Sequence, residues 1–75
     1  MREAPLVRRQ FAAHLESLLN RAGITPEELA QKTGRSTEVV LQYLRARTIP
    51  RLEDLPVIAA ALRLRDSRAM IPKEW

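Results

Sequence analysis

Two helix-start signals with a glycine between them dominate the middle of this chain and restrict the folds open to it. The sequence TPEE at residues 25–28 offers a threonine N-cap, a proline at the first helical position and a glutamate placed to complete a capping box. Gly34 suits the left-handed residue that ends a helix, and Ser36 is a good N-cap for the next one. The segment therefore predicts two short helices, at residues 26–33 and 37–45, joined by a tight turn.

Apolar residues before this segment recur at the spacing of one helix face. They predict a first helix over residues 6–22, with Pro5 at its start and Gly23 at its end. The residues expected on its buried face are Phe11, Leu15, Leu18, Leu19 and Ala22.

A loop and a fourth helix are predicted after the segment. Residues 46–52 have the composition of a connection, and a helix follows from about 55 to 64, with Pro56 in the first turn, where proline is tolerated. In the tail at residues 66–75, Asp66 is expected to cap one last turn at 67–70. The rest of the predicted core comes from the second to fourth helices: Leu29, Ala30, Val39, Val40, Tyr43, Leu44, Leu55, Ile58, Ala59 and Leu62.

Length and composition fit one small folded domain over residues 1–75. A chain of 75 residues buries only about 60% of its unfolded surface, so it has room for a single small core. Hydrophobic residues make up 45% and charged residues 29%, which is typical of a folded domain rather than a disordered tail. No segment shows the alternation of a strand, so the predicted fold class is all-α.

The residue types present argue against an enzyme. Cysteine is absent, which excludes disulfides, thiolate zinc sites and a cysteine nucleophile, and the single histidine, His14, cannot form a metal site by itself. We expect no catalytic residue, metal, cofactor or small-molecule substrate, because no nucleophile–base pair or ligand spacing is visible. No apolar run approaches the roughly 20 residues that span a bilayer, and the first residues lack the apolar core of a signal peptide. A cytoplasmic location is therefore expected.

The net charge of +4 gives the chain a general attraction to polyanions such as nucleic acids. Most of its 13 cations are arginines, which suit bidentate contacts to phosphate or guanine, although a codon-composition bias would produce the same excess. Arg2, Arg8 and Arg9 are interpreted as a loose charged terminus, with a basic arm near DNA as the alternative.

The proportions of residues 25–45 are those of a helix-turn-helix unit. Ala30 precedes Gly34 at a point where only a small side chain lets two helices cross closely. Val40 follows it where a β-branched side chain can fill the angle between them.

With the sequence TPEELAQKTGRS, then Val40 and Tyr43, the chain resembles the phage repressor and Cro family of helix-turn-helix regulators. The resemblance covers residues 11–64, through Pro50 and the sequence LPVIAAAL at 55–62. It implies a compact, lambda-repressor-like fold of four to five helices that binds operator DNA, usually as a dimer.

Three departures from the family pattern concern the scaffold. Many members carry an Arg–Glu ion pair where this chain has Leu19 and Leu44, and a packed apolar pair can be as stable as a buried ion pair. The family's frequent glycine after the recognition helix is Ala46 here, which puts the geometry of that turn in question. Arg35 stands at a usually apolar position, which predicts a more exposed turn.

The resemblance implies that the outward face of the third helix contacts base edges in the major groove. Gln42 suits bidentate bonds to adenine, Glu38 can accept from cytosine, and Leu41 can touch a thymine methyl. The expected base contacts are Ser36, Thr37, Glu38, Leu41 and Gln42. An ordinary solvated helix face is the alternative.

Residues that flank this helix are expected to contact phosphates, which set register and affinity rather than sequence preference. They are Thr25, Arg35, Arg45, Arg47, Thr48 and Arg51, with a solvated basic face as the alternative for the arginines. Apolar residues at the end of a small domain need cover, so Met70, Ile71 and Trp75 are candidates for a homodimer surface, with packing on the domain's own core as the alternative.

The predicted function is that of a sequence-specific transcriptional regulator of the repressor type, with double-stranded DNA as its partner. The alternative is a protein-interaction module on the same fold, as in some antitoxin or cytoskeletal-anchor proteins. Glu38 and Leu41 on the recognition face favour that alternative slightly.

Overall fold

The computed structural model describes residues 6–64 and 67–72, and this part of the chain forms four α-helices. They are α1 (Leu6–Ala22), α2 (Pro26–Thr33), α3 (Thr37–Leu44) and α4 (Leu55–Ala61), with 3₁₀ helices at Leu52–Asp54 and Ser67–Met70. The bounds predicted for the first two helices and the last turn are confirmed, and Arg45 caps the end of α3. The fourth helix ends at Ala61, earlier than predicted, because Arg63 adopts a left-handed conformation that turns the chain out of the helix. The cap predicted at Asp66 lies outside the described residues.

Side-chain caps start α2 and α3 as the sequence predicts. The Thr25 hydroxyl oxygen accepts from the amide of Glu28 at 3.1 Å, and the Glu28 carboxylate accepts from the amide of Thr25 at 3.0 Å. At the next helix, the Ser36 hydroxyl oxygen accepts from the amide of Val39 at 3.2 Å. These bonds satisfy amides that have no partner within a helix, and each cap stabilises its helix by about 1 kcal/mol.

The ends of all four α-helices in the described residues share one geometry. In each, an amide past the helix end bonds back to a carbonyl of the last turn while the residue before that amide takes a left-handed conformation, which is the Schellman motif. Two of these left-handed residues are glycines, at φ 69° and 71°, and the other two are an alanine and an arginine, at φ 61° and 60°. In chain order they are Gly23, Gly34, Ala46 and Arg63.

The core draws on one face of each α-helix. Leu15 and Leu29 are completely buried, and the ring of Phe11 meets that of Tyr43 edge-on, with centroids 6.4 Å apart. The buried core residues are Phe11, Leu15, Leu18, Leu19, Leu29, Ala30, Val40, Tyr43, Ile58, Ala59 and Leu62, and Val39, Leu44 and Leu55 pack against them. This confirms the predicted core except at Ala22, which is exposed because the end of α1 borders an open groove.

The side chain of His14 links the last described turn to the first helix. His14, in the middle of α1, forms a hydrogen bond through Nε2 with the carbonyl oxygen of Ala69 at 2.6 Å. The sequence placed His14 on a partly exposed helix surface, as observed, but gave no sign of this partner. None of the helices in the described ranges is both long enough and apolar enough to cross a membrane.

Candidate nucleic-acid interface

The turn between α2 and α3 fixes the position of α3 on the domain. Ala30 and Val40 are both buried where the two helices meet, at 3% and 1% exposure, as their spacing predicted. The amide of Arg35 donates to the carbonyl of Ala30 at 3.0 Å, around the left-handed Gly34. Since α3 packs inward through Val40 and Tyr43, its opposite face is left for a partner.

Three of the predicted base-contact residues, Glu38, Leu41 and Gln42, lie on this opposite face of α3, and Ser36 and Thr37 lie at its N-terminal edge. Ser36 and Glu38 are exposed, whereas Thr37, Leu41 and Gln42 are half-buried. The oxygen of Ser36 caps the helix, but its hydroxyl hydrogen can still be donated outward. The face therefore offers one amide, one carboxylate, two hydroxyls and one aliphatic side chain within two turns of helix.

One weak ion pair crosses this face. The Arg45 guanidinium lies 4.0 Å from the Glu38 carboxylate, and the two side chains are 59% and 67% exposed. Exposed pairs of this kind contribute little to stability, so both groups can be redirected to a ligand at small cost. The negative charge of Glu38 thus has the Arg45 cation beside it without DNA, and it lowers the positive potential of this face only near Glu38 itself.

The loop after α3 carries the other predicted phosphate contacts. Arg47 and Arg51 are exposed and Thr48 is half-buried, while Pro50 between them is buried and anchors the loop to the domain. Arg51 lies 3.8 Å from the carboxylate of Glu53, in a pair that is largely solvated. These cations therefore flank the outward face of α3 on its C-terminal side.

A residue at the start of α1 supports this loop. The Nε of Arg8 donates to the carbonyl oxygen of Ala46 at 3.2 Å. The interpretation of Arg8 as part of a loose terminus is therefore wrong, because this side chain holds the turn that follows α3. Arg9 lies in the same helix, and Arg2 lies outside the described residues.

Arg35 forms an ion pair that the sequence did not predict. Its guanidinium donates to the carboxylate of Asp54, which ends the first 3₁₀ helix and precedes α4. Both charges lie near Tyr43: burial raises the pKa of the Tyr43 hydroxyl, the Asp54 carboxylate raises it further, and the Arg35 charge opposes them. The phosphate contact expected of Arg35 stays a prediction, but in the structure its guanidinium binds an acid while the side chain is 46% exposed.

Thr25 and the proposed dimer residues are distant in sequence from the outward face of α3. The hydroxyl oxygen of Thr25 is used in the capping box, so its phosphate contact also stays a prediction. Ile71 is 41% exposed. Trp75 and the side chain of Met70 lie outside what the structure describes, so this group is not tested as a surface. In the described ranges, no three His, Asp or Glu residues are grouped so that they could hold a metal ion.

Sequence reasoning missed Arg8 and Asp54 for a common reason. Their partners lie 38 and 19 residues away in the chain, and no local pattern marks a residue for a contact at that distance. The sequence held one indication of the second contact. Arg35 stands where the resembled family is usually apolar, and an arginine at such a position is stabilised by a nearby acid.

The geometry agrees with comparisons to known proteins. A sequence profile of the family described as "Helix-turn-helix domain" matches residues 10–70. The restriction-modification controller protein C.AhdI from Aeromonas hydrophila shares the fold at 23% identity, with a TM-score of 0.79 over 85% of this chain and 96% of that one. The clp gene regulator ClgR from C. glutamicum is 27% identical, with a TM-score of 0.77 over 88% of this chain and 84% of that one.

A transcriptional regulator of the HTH_3 family from Vibrio cholerae is 28% identical, with a TM-score of 0.77 over 87% of this chain but only 36% of that one. No curated protein matches the chain in sequence. The structural matches confirm the predicted compact all-α fold of the lambda-repressor type.

Proposed function

Because the chain belongs to the helix-turn-helix domain family, whose members are transcription regulators rather than enzymes, we propose that it is a sequence-specific repressor-type regulator that inserts α3 into the major groove of double-stranded DNA. One observation carries the proposal: α3 buries Val40 and Tyr43 and leaves a mostly polar face between exposed arginines. A helix of this kind fits the major groove, which is wide enough to admit one.

Base recognition is assigned to residues in the middle of this face. Gln42 would donate to and accept from one adenine, Glu38 would accept from a cytosine amino group, and Leu41 would contact a thymine methyl group. Ser36 and Thr37, at the start of α3, complete the set. Glu38 needs such a donor, since a carboxylate among phosphates is otherwise repelled; its release from Arg45 on binding is a small cost because the pair is exposed.

Phosphate contacts are assigned to the residues around α3. Arg45, Arg47 and Arg51 supply charge, and Thr48 supplies a hydroxyl donor. Thr25 at the start of α2 is included because helix N-termini present amides to phosphates, although Glu27 and Glu28 weaken that position. These contacts hold the domain on DNA and carry little sequence information.

A repressor would act by occupying its operator at equilibrium, which requires no cofactor. If two copies associate through Met70, Ile71 and Trp75, their α3 helices should meet half-sites about one helical turn apart. ClgR is a clp gene regulator and the Vibrio cholerae protein is a transcriptional regulator, which supports the regulatory part of the proposal. A regulator of this kind works where the DNA is, in keeping with the cytoplasmic location expected.

The proposal is tested by selecting bound sequences from a random DNA pool and measuring affinity against salt. We expect one motif to be enriched, and affinity for random DNA to fall linearly with salt on logarithmic axes. The absence of detectable binding at low salt would remove the DNA function. It would leave a protein-partner role for the same face, where Leu41 is half-buried without belonging to the core.

A further inference from the structure

Arg35 and Asp54 join two parts of the domain that are distant in the chain. Arg35 belongs to the turn between α2 and α3, and Asp54 stands at the junction of the first 3₁₀ helix and α4. Between them in sequence lie Ser36, α3 and the loop 45–51, which together hold every DNA contact proposed above except Thr25. The ion pair therefore joins the two ends of the segment that carries the proposed interface.

The environment of the pair is asymmetric. The side chain of Asp54 is only 14% exposed, whereas that of Arg35 is 46% exposed. Leu29, Val40 and Ile58 lie around the pair, together with the buried ring of Tyr43. Because the carboxylate has little contact with water, opening the pair costs more than opening a fully exposed pair does.

Two further contacts hold the same loop. The carbonyl of Ala46 accepts from Arg8 at the start of the loop, and Pro50 is buried near its end. The amide of Asp54, the last residue of the 3₁₀ helix that follows the loop, donates to the carbonyl oxygen of Arg51 at 2.9 Å. The positions of Arg47, Thr48 and Arg51 relative to α3 thus depend on contacts made outside the loop.

We propose that Arg35 is a positioning residue: it binds Asp54 to set the loop 45–51 against α3, rather than serving as a phosphate contact. This inference rests on the proposed function. The proposal and a purely electrostatic account predict opposite changes in DNA affinity when Asp54 is replaced. Removing the Asp54 carboxylate raises the positive charge near DNA, which alone would tighten binding. If the carboxylate positions the loop, its removal weakens binding instead.

The experiment compares Asp54→Ala, Arg35→Met and the charge exchange of Arg35→Asp with Asp54→Arg. Lys32→Met is the matched control, because it removes a cation of α2 that lines a different groove, with Ala22 and Arg63. Affinity for random-sequence duplex is measured by fluorescence anisotropy over a range of salt concentrations. Helical circular dichroism confirms that each variant is folded at the temperature used.

We expect Asp54→Ala and Arg35→Met each to weaken binding by about three- to tenfold, with salt slopes equal to each other because both displace the same loop, and the charge exchange to restore most of the loss. Lys32→Met should change affinity less than either. Tighter binding by Asp54→Ala, or a salt slope that falls by about one in Arg35→Met but not in Asp54→Ala, would assign Arg35 to a phosphate and overturn the proposal. If Arg35→Met does not fold, Asp54→Ala and the exchanged pair decide the question by the same criteria.

A second measurement needs no DNA. Trypsin cleaves after Arg47 and Arg51, and we expect Asp54→Ala to speed cleavage at these two sites by about threefold or more relative to cleavage after Arg21, because local opening becomes easier. An unchanged ratio overturns the proposal. Failure of the wild-type chain to bind DNA would instead refute the proposed function, and the trypsin ratio would still test the pair.

Discussion

Gln42 and Arg47 illustrate how two residues of one interface can differ in what they contribute. Gln42 lies half-buried on α3, where its amide can face a base edge, and Arg47 lies exposed in the loop beyond it. We expect Gln42→Ala to relax sequence preference at one base pair by about 1–3 kcal/mol, and Arg47→Ala to weaken binding to all sequences alike.

This pair of variants is measured on the selected operator, on its single-base substitutions and on random DNA. Arg47→Ala should also lower the magnitude of the salt slope by about one. If both variants show the same profile across sequences, the division between base and phosphate contacts is wrong.

The hydroxyl of Tyr43 should make the stability of the domain fall at high pH. Its pKa is raised above the ordinary value of 10.0 by burial first and by the Asp54 carboxylate second. The folded state thus holds the proton more tightly than the unfolded state, so this contribution is fully present below pH 10 and is lost as pH rises through the folded pKa. Tyr43→Phe should remove that part of the decline, measured by urea unfolding between neutral and strongly alkaline pH. Parallel declines in both proteins would contradict the assignment.

After two of the helices, a residue other than glycine adopts a strained left-handed backbone conformation. Ala46 adopts φ 61°, a conformation that glycine adopts without strain. The hydrogen bonds that end the helix require no side chain at this position. The left-handed conformation costs about 1–2 kcal/mol for a non-glycine residue, offset by the greater freedom of glycine in the unfolded chain. We expect Ala46→Gly to raise the free energy of unfolding by about 0.5–1 kcal/mol.

The matched control is the same substitution on an exposed position inside a helix. Ala13→Gly in α1 should destabilise the domain by about 1 kcal/mol, because glycine is unfavourable in a helix interior. Both are measured by thermal and chemical unfolding. Two changes of the same sign would show that the turn at Ala46 is not strained.

The packing of α1 against α3 should tolerate a paired exchange better than a single one. Leu19 is 4% exposed and Leu44 packs against the same core. Leu19→Arg buries an uncompensated charge and should cost about 3–5 kcal/mol, whereas Leu19→Arg with Leu44→Glu should recover much of that loss. A double-mutant cycle on unfolding free energies measures the coupling. Additive effects would mean that the two positions do not face each other.

A single core makes the whole domain depend on each of its central side chains. Leu29 is fully buried, and Leu29→Ala should cost about 2–5 kcal/mol, a large part of the stability of a domain this small. Leu52 is 82% exposed, so Leu52→Ala is the control and should change stability by less than about 0.5 kcal/mol. Equal effects on the urea midpoint would contradict the description of the core.

Across the molecule, the sequence predicted those features that depend on neighbours in the chain. The capping box at Thr25 and the glycine stop at Gly34 are local, and both are observed as expected. The periodicity of apolar residues located the core except at Ala22, whose surroundings depend on where the next helix lies.

Contacts between distant residues were not predictable in the same way. Arg8 with Ala46, His14 with Ala69 and Arg35 with Asp54 arise only once the helices have packed. One helix stop was also missed: α4 ends at Ala61 rather than near residue 64, since Arg63 adopts the left-handed conformation without the glycine that usually signals it. For the candidate interface, the sequence therefore predicted which residues are exposed but not the contacts that hold them in place.

The strained turns at Ala46 and Arg63 have a consequence for laboratory evolution. Every alanine codon and every arginine codon becomes a glycine codon by a single nucleotide change, so both relaxed versions lie one step away in an error-prone library. A selection that retains only variants surviving heat should therefore recover glycine at these two positions early and independently of each other.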